Sequence, residues 1–355
     1  MNTKRTGGGY VRRAPGAWVR REAEAAATAA RERDRGGAHT DLALEARELA
    51  GLPDNIPGLS MDMEESGSMT ITRIHVESEH AAQQIGKVRG RYTTIEVPDL
   101  RRKDPDLQDR VAERLAQELG RCIRLPDDAV VLIIGLGNWN VTPDALGPLV
   151  VEDLFITRHL FSLMPDIVED GFRSVCAVAP GVLGLTGIET SEIATGVVER
   201  VRPDLVIAVD ALAARSIERV NTTIQIADSG IHPGSGVGNR RKALTRETLG
   251  VDVVGVGVPT VLDAATIASD AMDLLLRQLE EKVPGNGAGR ILNQFTLEQK
   301  RGLISEVLQP LGNNLMVTPK EIDELVEDAA HVVAMGINIA LHSSMTLDDA
   351  KQLTH

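Results

Sequence analysis

An α/β fold built on a largely parallel sheet is what this sequence predicts, and two features carry the prediction. Apolar runs of strand length stop abruptly at a glycine or an acid, as in Val130-Val-Leu-Ile-Ile134 before Gly135 and Leu205-Val-Ile-Ala-Val209 before Asp210. Between such runs lie stretches whose apolar residues recur at helical spacing. Continuous apolar runs suit strands buried on both faces, and alternating strands and helices connect parallel neighbours.

Taken in order, residues 130–134 form a strand. Residues 143–164 follow as a helix, with Leu146, Val150, Leu154 and Phe161 near one face. Residues 175–178 make a short strand, 191–201 a helix, 205–209 a strand, and 222–226 a strand with period-two alternation. Residues 251–256 are another strand, leading into a long helix over about 261–279. Pro284-Gly-Asn-Gly-Ala-Gly289 punctuates the chain, and helices at 297–308 and 319–340 end it.

A chain of 355 residues with 43% hydrophobic residues can bury a large core. Its net charge is -13 and only 2% of it is aromatic, so it offers neither a basic groove nor stacking platforms, and direct nucleic-acid binding is not expected. No stretch approaches the roughly 20 apolar residues of a membrane span, and no signal-peptide core follows the N-terminal arginines, so the protein is expected to be intracellular and off the membrane. Cys122 and Cys176 fit neither a disulfide framework nor paired metal-ligand spacing and are expected to be reduced core residues. Charge is uneven: residues 1–41 carry nine basic and five acidic side chains, a net +4, which leaves -17 for the rest. A cationic arm on an acidic body favours docking of one on the other, the alternative being a solvated helical tail over the alanine-rich residues 23–30.

Two acids stand where open α/β sheets place their chemistry, just past the carboxyl ends of strands: Asp144 and Asp210. Each also has a structural role open to it. Thr142 can cap a helix with Pro143 in its first position, and an acid one residue later complements the positive helix end. Asp210, at the rim of a buried run, is expected to have a raised pKa through desolvation and a neighbouring carboxylate, or to cap a short helix beginning at Ala211.

Around these residues the sequence resembles the germination protease of spore-forming bacteria. The resemblance is carried by Gly135-Leu-Gly-Asn-Trp-Asn-Val-Thr-Pro-Asp-Ala-Leu-Gly-Pro148, Ala179-Pro-Gly-Val-Leu-Gly-Leu-Thr-Gly-Ile-Glu-Thr190, Val209-Asp-Ala-Leu-Ala-Ala-Arg215 and Ile226-Ala-Asp-Ser-Gly-Ile-His-Pro-Gly-Ser-Gly-Val-Gly-Asn-Arg240, and covers nearly everything from residue 40 onward. It implies an endopeptidase of small acid-soluble spore proteins, homotetrameric and cytoplasmic in the spore core or forespore, with Asp144 and Asp210 as a catalytic pair. It also implies a zymogen that removes its own N-terminal segment at a site resembling its substrates. Here that bond is Asp41-Leu42, in Thr40-Asp-Leu-Ala-Leu-Glu45. The chain then divides into an activation segment 1–41, an α/β peptidase domain 42–283 and a helical C-terminal extension 284–355 packed on the same domain. The fold implied is a three-layer sheet resembling the hydrogenase-maturation endopeptidases.

Two carboxyl groups sharing a site cannot both ionise cheaply, so one stays protonated while the other takes a proton from water. Asn138 and Asn140 are candidates to donate hydrogen bonds to an oxyanion, with turn stabilisation as their other role. His232, Arg240 and Arg241, at the ends of a glycine-rich loop, are candidates to contact substrate, the arginines meeting the acidic side chain before the cut.

Rival chemistries fail on spacing. Asn140 occupies the third glycine position of a dinucleotide fingerprint, and GxxxxGK[ST] is absent. No GxSxG surrounds Ser229 or Ser235 near His232, and the eight histidines form no HExxH. On the favoured reading no cofactor is required. A divalent metal on Asp144, Asp210 and His232 is the metallopeptidase alternative, and a nucleotide- or small-ligand-binding module the non-proteolytic one.

Overall fold

The computed structural model describes residues 40–51, 56–232, 242–282 and 315–353. Helix α1 is Ala43–Leu49. Strands β1 (Leu59–Ser66), β2 (Met69–Val76) and β3 (Gly90–Glu96) form an antiparallel run, with helix α2 (Glu79–Ile85) between β2 and β3. Helix α3 (Pro105–Cys122) leads to β4 (Val130–Gly135), then helix α4 (Leu146–Glu152) and β5 (Ser174–Val178). Helix α5 (Thr190–Val201), β6 (Leu205–Ala214), β7 (Thr223–Ala227), β8 (Asp252–Asp263) and helix α6 (Ala264–Lys282) follow. Strand β9 (Met316–Val317) and helix α7 (Ile322–Leu341) come last before a short terminal helix, Leu347–Leu353.

All nine strands join one sheet in the order β1-β2-β3-β7-β8-β6-β4-β5, with β9 beside β8. The α/β class holds, and the sheet is mixed. β5, β4, β6 and β8 are parallel, while β1, β2, β3, β7 and β9 are added antiparallel. Within the antiparallel half only β1 and β2 are consecutive strands joined by a hairpin, and β3 follows after α2. The β1–β2 turn passes through Gly67 at φ 61°, a conformation glycine adopts without a Cβ clash.

Alternation along β6 explains the layering. Leu205, Ile207 and Val209 point into a core shared with α3, α4 and α7, through residues such as Leu115, Val150 and Val333. Val206, Ala208 and Leu212 point to the opposite face, where they meet Ala194 and Val198 of α5, and Leu42. Helices on both faces of one sheet give three layers. At the antiparallel end a buried carboxylate ties helix to sheet. Glu118 of α3 accepts from Arg73 of β2 at 2.7 Å and contacts Arg114 at 3.0 Å, and both arginines also reach Glu64 of β1.

Several boundaries differ from the sequence reading. The 143–164 helix is broken into a 3-10 turn at Thr142–Asp144, α4, and a helix at Arg158–Leu163. Thr157 interrupts it: its N–H donates to the Val175 carbonyl and its hydroxyl accepts from the Val175 N–H, joining this segment to β5. Thr142 lies inside the 3-10 turn, and Val141 occupies the capping position. No helix begins at Ala211. β6 runs on to Ala214 because β8 accompanies it, pairing Asp210 with Gly257 and, past a bulge at Leu212, Ala213 with Val261. β8 likewise extends to Asp263, so the following helix starts at Ala264 instead of near 261. The helix read at 297–308 lies outside the described residues.

The Arg114 and Arg73 guanidiniums pull the Glu64 carboxyl down to about 2. A carboxyl lowered on folding stabilises above its unfolded value near 4.5 and loses that contribution as pH falls toward 2. Glu64→Gln is therefore expected to lower the melting temperature at pH 6, and the gap to wild type should close as scans approach pH 2.

Candidate active site

The carboxyl end of β4 is built by backbone contact. β4 ends at Gly135 opposite Val209, and the next residue, Leu136, donates its N–H to the Val209 carbonyl at 2.7 Å. Gly137 then turns at φ 121°, and a Cβ there would stand 1.9 Å from the Asp144 carbonyl oxygen. The Asn138 N–H donates to that same oxygen at 2.8 Å. One turn later, a Cβ on Gly147 would meet the Leu136 backbone at 2.3 Å. The Gly135–Gly147 loop is thus folded tightly back on the strand end, and the glycines are what allow it. This fold-back sets Asp144, partly exposed, against Gly137, whose Cβ position lies 3.6 Å from the Asp144 carboxyl carbon.

Asp210 lies one residue beyond Val209 in β6 and is 5% exposed. By strand alternation it faces the same side as Ala208 and Leu212, the side that Leu42 covers. Its Oδ1 accepts from the Ala211 N–H at 3.0 Å. Asp144 thus packs against Gly137, next to Leu136, and Asp210 directly follows Val209, the hydrogen-bonded partner of Leu136. Of the two asparagines, Asn138 uses Oδ1 to accept from the Asn140 N–H at 3.0 Å, the turn-forming role, and Asn140 is exposed.

The segment Thr40-Asp41-Leu42 lies on this same face. The Asp41 N–H donates to the Ala213 carbonyl at 3.0 Å, and Asp41 Oδ2 accepts from the Ala213 N–H at 2.8 Å. Leu42 is fully buried. Lys87 Nζ donates to the carbonyls of Thr40 at 3.0 Å and Asp41 at 2.8 Å, and Gln225 Nε2 donates to the Asp41 carbonyl at 3.1 Å. Gln225 Oε1 accepts from the Ala43 N–H at 2.6 Å. Glu45, also buried, accepts from the backbone N–H groups of Arg215 and Ser216 past the end of β6.

Beside this segment opens a cleft of about 190 Å³, lined among others by Asp41, Lys87, Tyr92, Gln225, Ser229 and His232. Ser229 Oγ donates to the Tyr92 hydroxyl at 3.1 Å. Burial, reinforced by the Lys87 charge, pushes the His232 imidazole below its ordinary pKa, so it is neutral at neutral pH. Burial also lowers the Lys87 ammonium, against the pull of Asp41 and Glu45. His232 thus stands with Lys87 and Asp41. Among the described residues no three His, Cys, Asp or Glu side chains come close enough to hold a metal ion, so Asp144, Asp210 and His232 do not form such a set. Arg240, Arg241 and Ser235 lie outside the described residues. The sequence reading missed Lys87, Gln225 and Tyr92, which no motif marks.

Comparison with known proteins decides the family. The sequence matches the germination protease family, peptidase family A25, over residues 39–288 and 286–354. The chain belongs to that family. It is 47% identical to the germination proteases of Bacillus velezensis and Bacillus anthracis and 46% to that of Bacillus cytotoxicus, in each case over 89% of this chain and 96% of the relative. The protein is accordingly a protease. Among its described residues no helix is long and apolar enough to cross a membrane.

Two outcomes follow from this geometry. Gly137→Ala forces a Cβ into the Asp144 carbonyl at a positive φ and is expected to cost at least about 2 kcal/mol in chemical denaturation, together with protease activity. Gly196→Ala, in the interior of α5 with no atom near its Cβ position, should gain roughly 0.5 kcal/mol and keep activity. Separately, burial pushes the Cys122 thiol up to about 11 and raises Cys176. Treatment with iodoacetamide at pH 7.5 should leave protease activity intact, and loss of activity in step with thiol labelling would contradict this.

Proposed function

We propose that this protease is an endopeptidase that begins the breakdown of small acid-soluble spore proteins at germination, and that it is made as a zymogen. The single observation supporting the zymogen reading most strongly is the docking of Asp41-Leu42 along β6, the strand that carries Asp210. An acidic-apolar pair lies extended on the face toward which Asp210 points. In this reading residues 1–41 leave when the Asp41-Leu42 bond is cut, and the segment that occupied the site gives way to substrate. Their net +4 goes with them.

Asp144 and Asp210 act as a pair. One carboxylate takes a proton from water as the water oxygen attacks the Asp41 carbonyl carbon, while the protonated partner polarises the carbonyl and then supplies a proton to the departing Leu42 nitrogen. The titration belongs to the pair, so the roles are not divided further. No cofactor enters this mechanism. The active form is a homotetramer in the spore core, with spore proteins as partners. Residues 42–283 form the peptidase domain, and the C-terminal part from 284 packs against it.

Intact-mass measurement of the full-length protein in mildly acidic, high-solute buffer tests the proposal. Wild type should lose the mass of residues 1–41, and Asp144→Asn and Asp210→Asn should each slow that loss and the cleavage of a spore-protein substrate by at least about 100-fold. Wild-type rates in both variants would refute the pair. Tight occupancy by a phosphate ligand without any mass loss would favour a non-proteolytic module.

A further inference from the structure

We infer that Gln225 and Lys87 form a main-chain clamp that holds the peptide at the bond to be cut, and that the same clamp receives the corresponding residues of a substrate once residues 1–41 have left and Leu42 and Ala43 have withdrawn from it. The inference rests on the proposed cleavage of Asp41-Leu42 and adds to it the groups that grip the scissile peptide.

Geometry carries it. Leu42 is extended, with φ -78° and ψ 128°. In an extended chain the carbonyl of one residue and the N–H two residues on point the same way. The Gln225 side-chain amide meets both: Nε2 donates to the Asp41 carbonyl at 3.1 Å and Oε1 accepts from the Ala43 N–H at 2.6 Å. One planar amide therefore brackets Leu42 through groups that every peptide possesses. Selectivity comes from the neighbours: the Ala213 N–H takes the Asp41 carboxylate, and the buried pocket takes Leu42.

Lys87 adds a charge at the reacting atom. Its ammonium stands 2.8 Å from the Asp41 carbonyl oxygen, so that oxygen has two donors, one of them cationic, in a partly buried setting. When water adds to the carbonyl carbon and its proton passes to the Asp144–Asp210 pair, the negative charge develops on this oxygen. It disappears as the bond to Leu42 nitrogen breaks and that nitrogen takes a proton from the pair. Donors aimed at an oxyanion stabilise the transition state more than the ground state.

The test uses the full-length protein, with Lys87→Met, Gln225→Glu and wild type compared by intact mass over time and by thermal melting. The processed forms are then assayed on a peptide copying residues 38–46. Met keeps the length of the Lys87 side chain but removes its charge and the donor to the Thr40 carbonyl, so melting is followed alongside processing. Lys87→Met should process at least about 100-fold more slowly, with the peptide kcat lowered and KM little changed. Gln225→Glu keeps the acceptor for Ala43 but loses the donor to Asp41, and should slow processing and raise the peptide KM by roughly 10-fold. If Lys87→Met melts earlier, the near-isosteric Gln225→Glu decides. Processing within twofold of wild type by both variants overturns the clamp while leaving the protease reading intact. Failure of wild type itself to lose residues 1–41 removes the cleavage on which the clamp depends.

Discussion

Everything at the site depends on β6 outrunning β4. The ladder between them ends at Gly135 and Val209, but β8 supports β6 as far as Ala214. Asp210 is the first residue of this overhang, and Ala213 near its end offers both backbone groups to Asp41. Without the overhang there would be no strand on which to dock residues 40–45 and no recessed position for the acid. The bulge at Leu212 lies within the same stretch, where local departure from ladder geometry is commonest beside functional residues.

The second constraint is steric. Two places on the loop after β4 admit no side chain, Gly137 against the Asp144 carbonyl and Gly147 against Leu136. They hold the Asp144 backbone by close packing that only the absence of Cβ atoms permits. Asp210 is held by its strand. Each acid thus stands on a separate rigid support, and the proposed pairing of the two relies on that fixed spacing.

The parallel half of the fold was legible because its strands are continuous apolar runs: 130–134, 175–178, 205–209 and 251–256 each fall within an observed strand, apart from one residue at 251. Strands β1 to β3 were not, since Met61 and Met63 face solvent and Arg73 sits mid-strand to hold Glu118, which blurs any pattern of buried residues. Asp210 was read as the end of a strand because an acid usually breaks an apolar run; here it is buried in the run's continuation. Of the site, the glycine-flanked loop and the docking segment stood out in the sequence. Lys87 and Gln225 did not, because each meets Asp41 across a long sequence separation and neither sits in a distinctive motif.

Because the Asp41-Leu42 segment lies on its own chain's β6, the proposed self-processing is an event within one molecule. The most direct test follows the loss of residues 1–41 over a hundredfold range of protein concentration. A single first-order rate constant at every concentration is the predicted result. A rate constant that rises in proportion to concentration, as cutting of one molecule by another requires, would contradict the account.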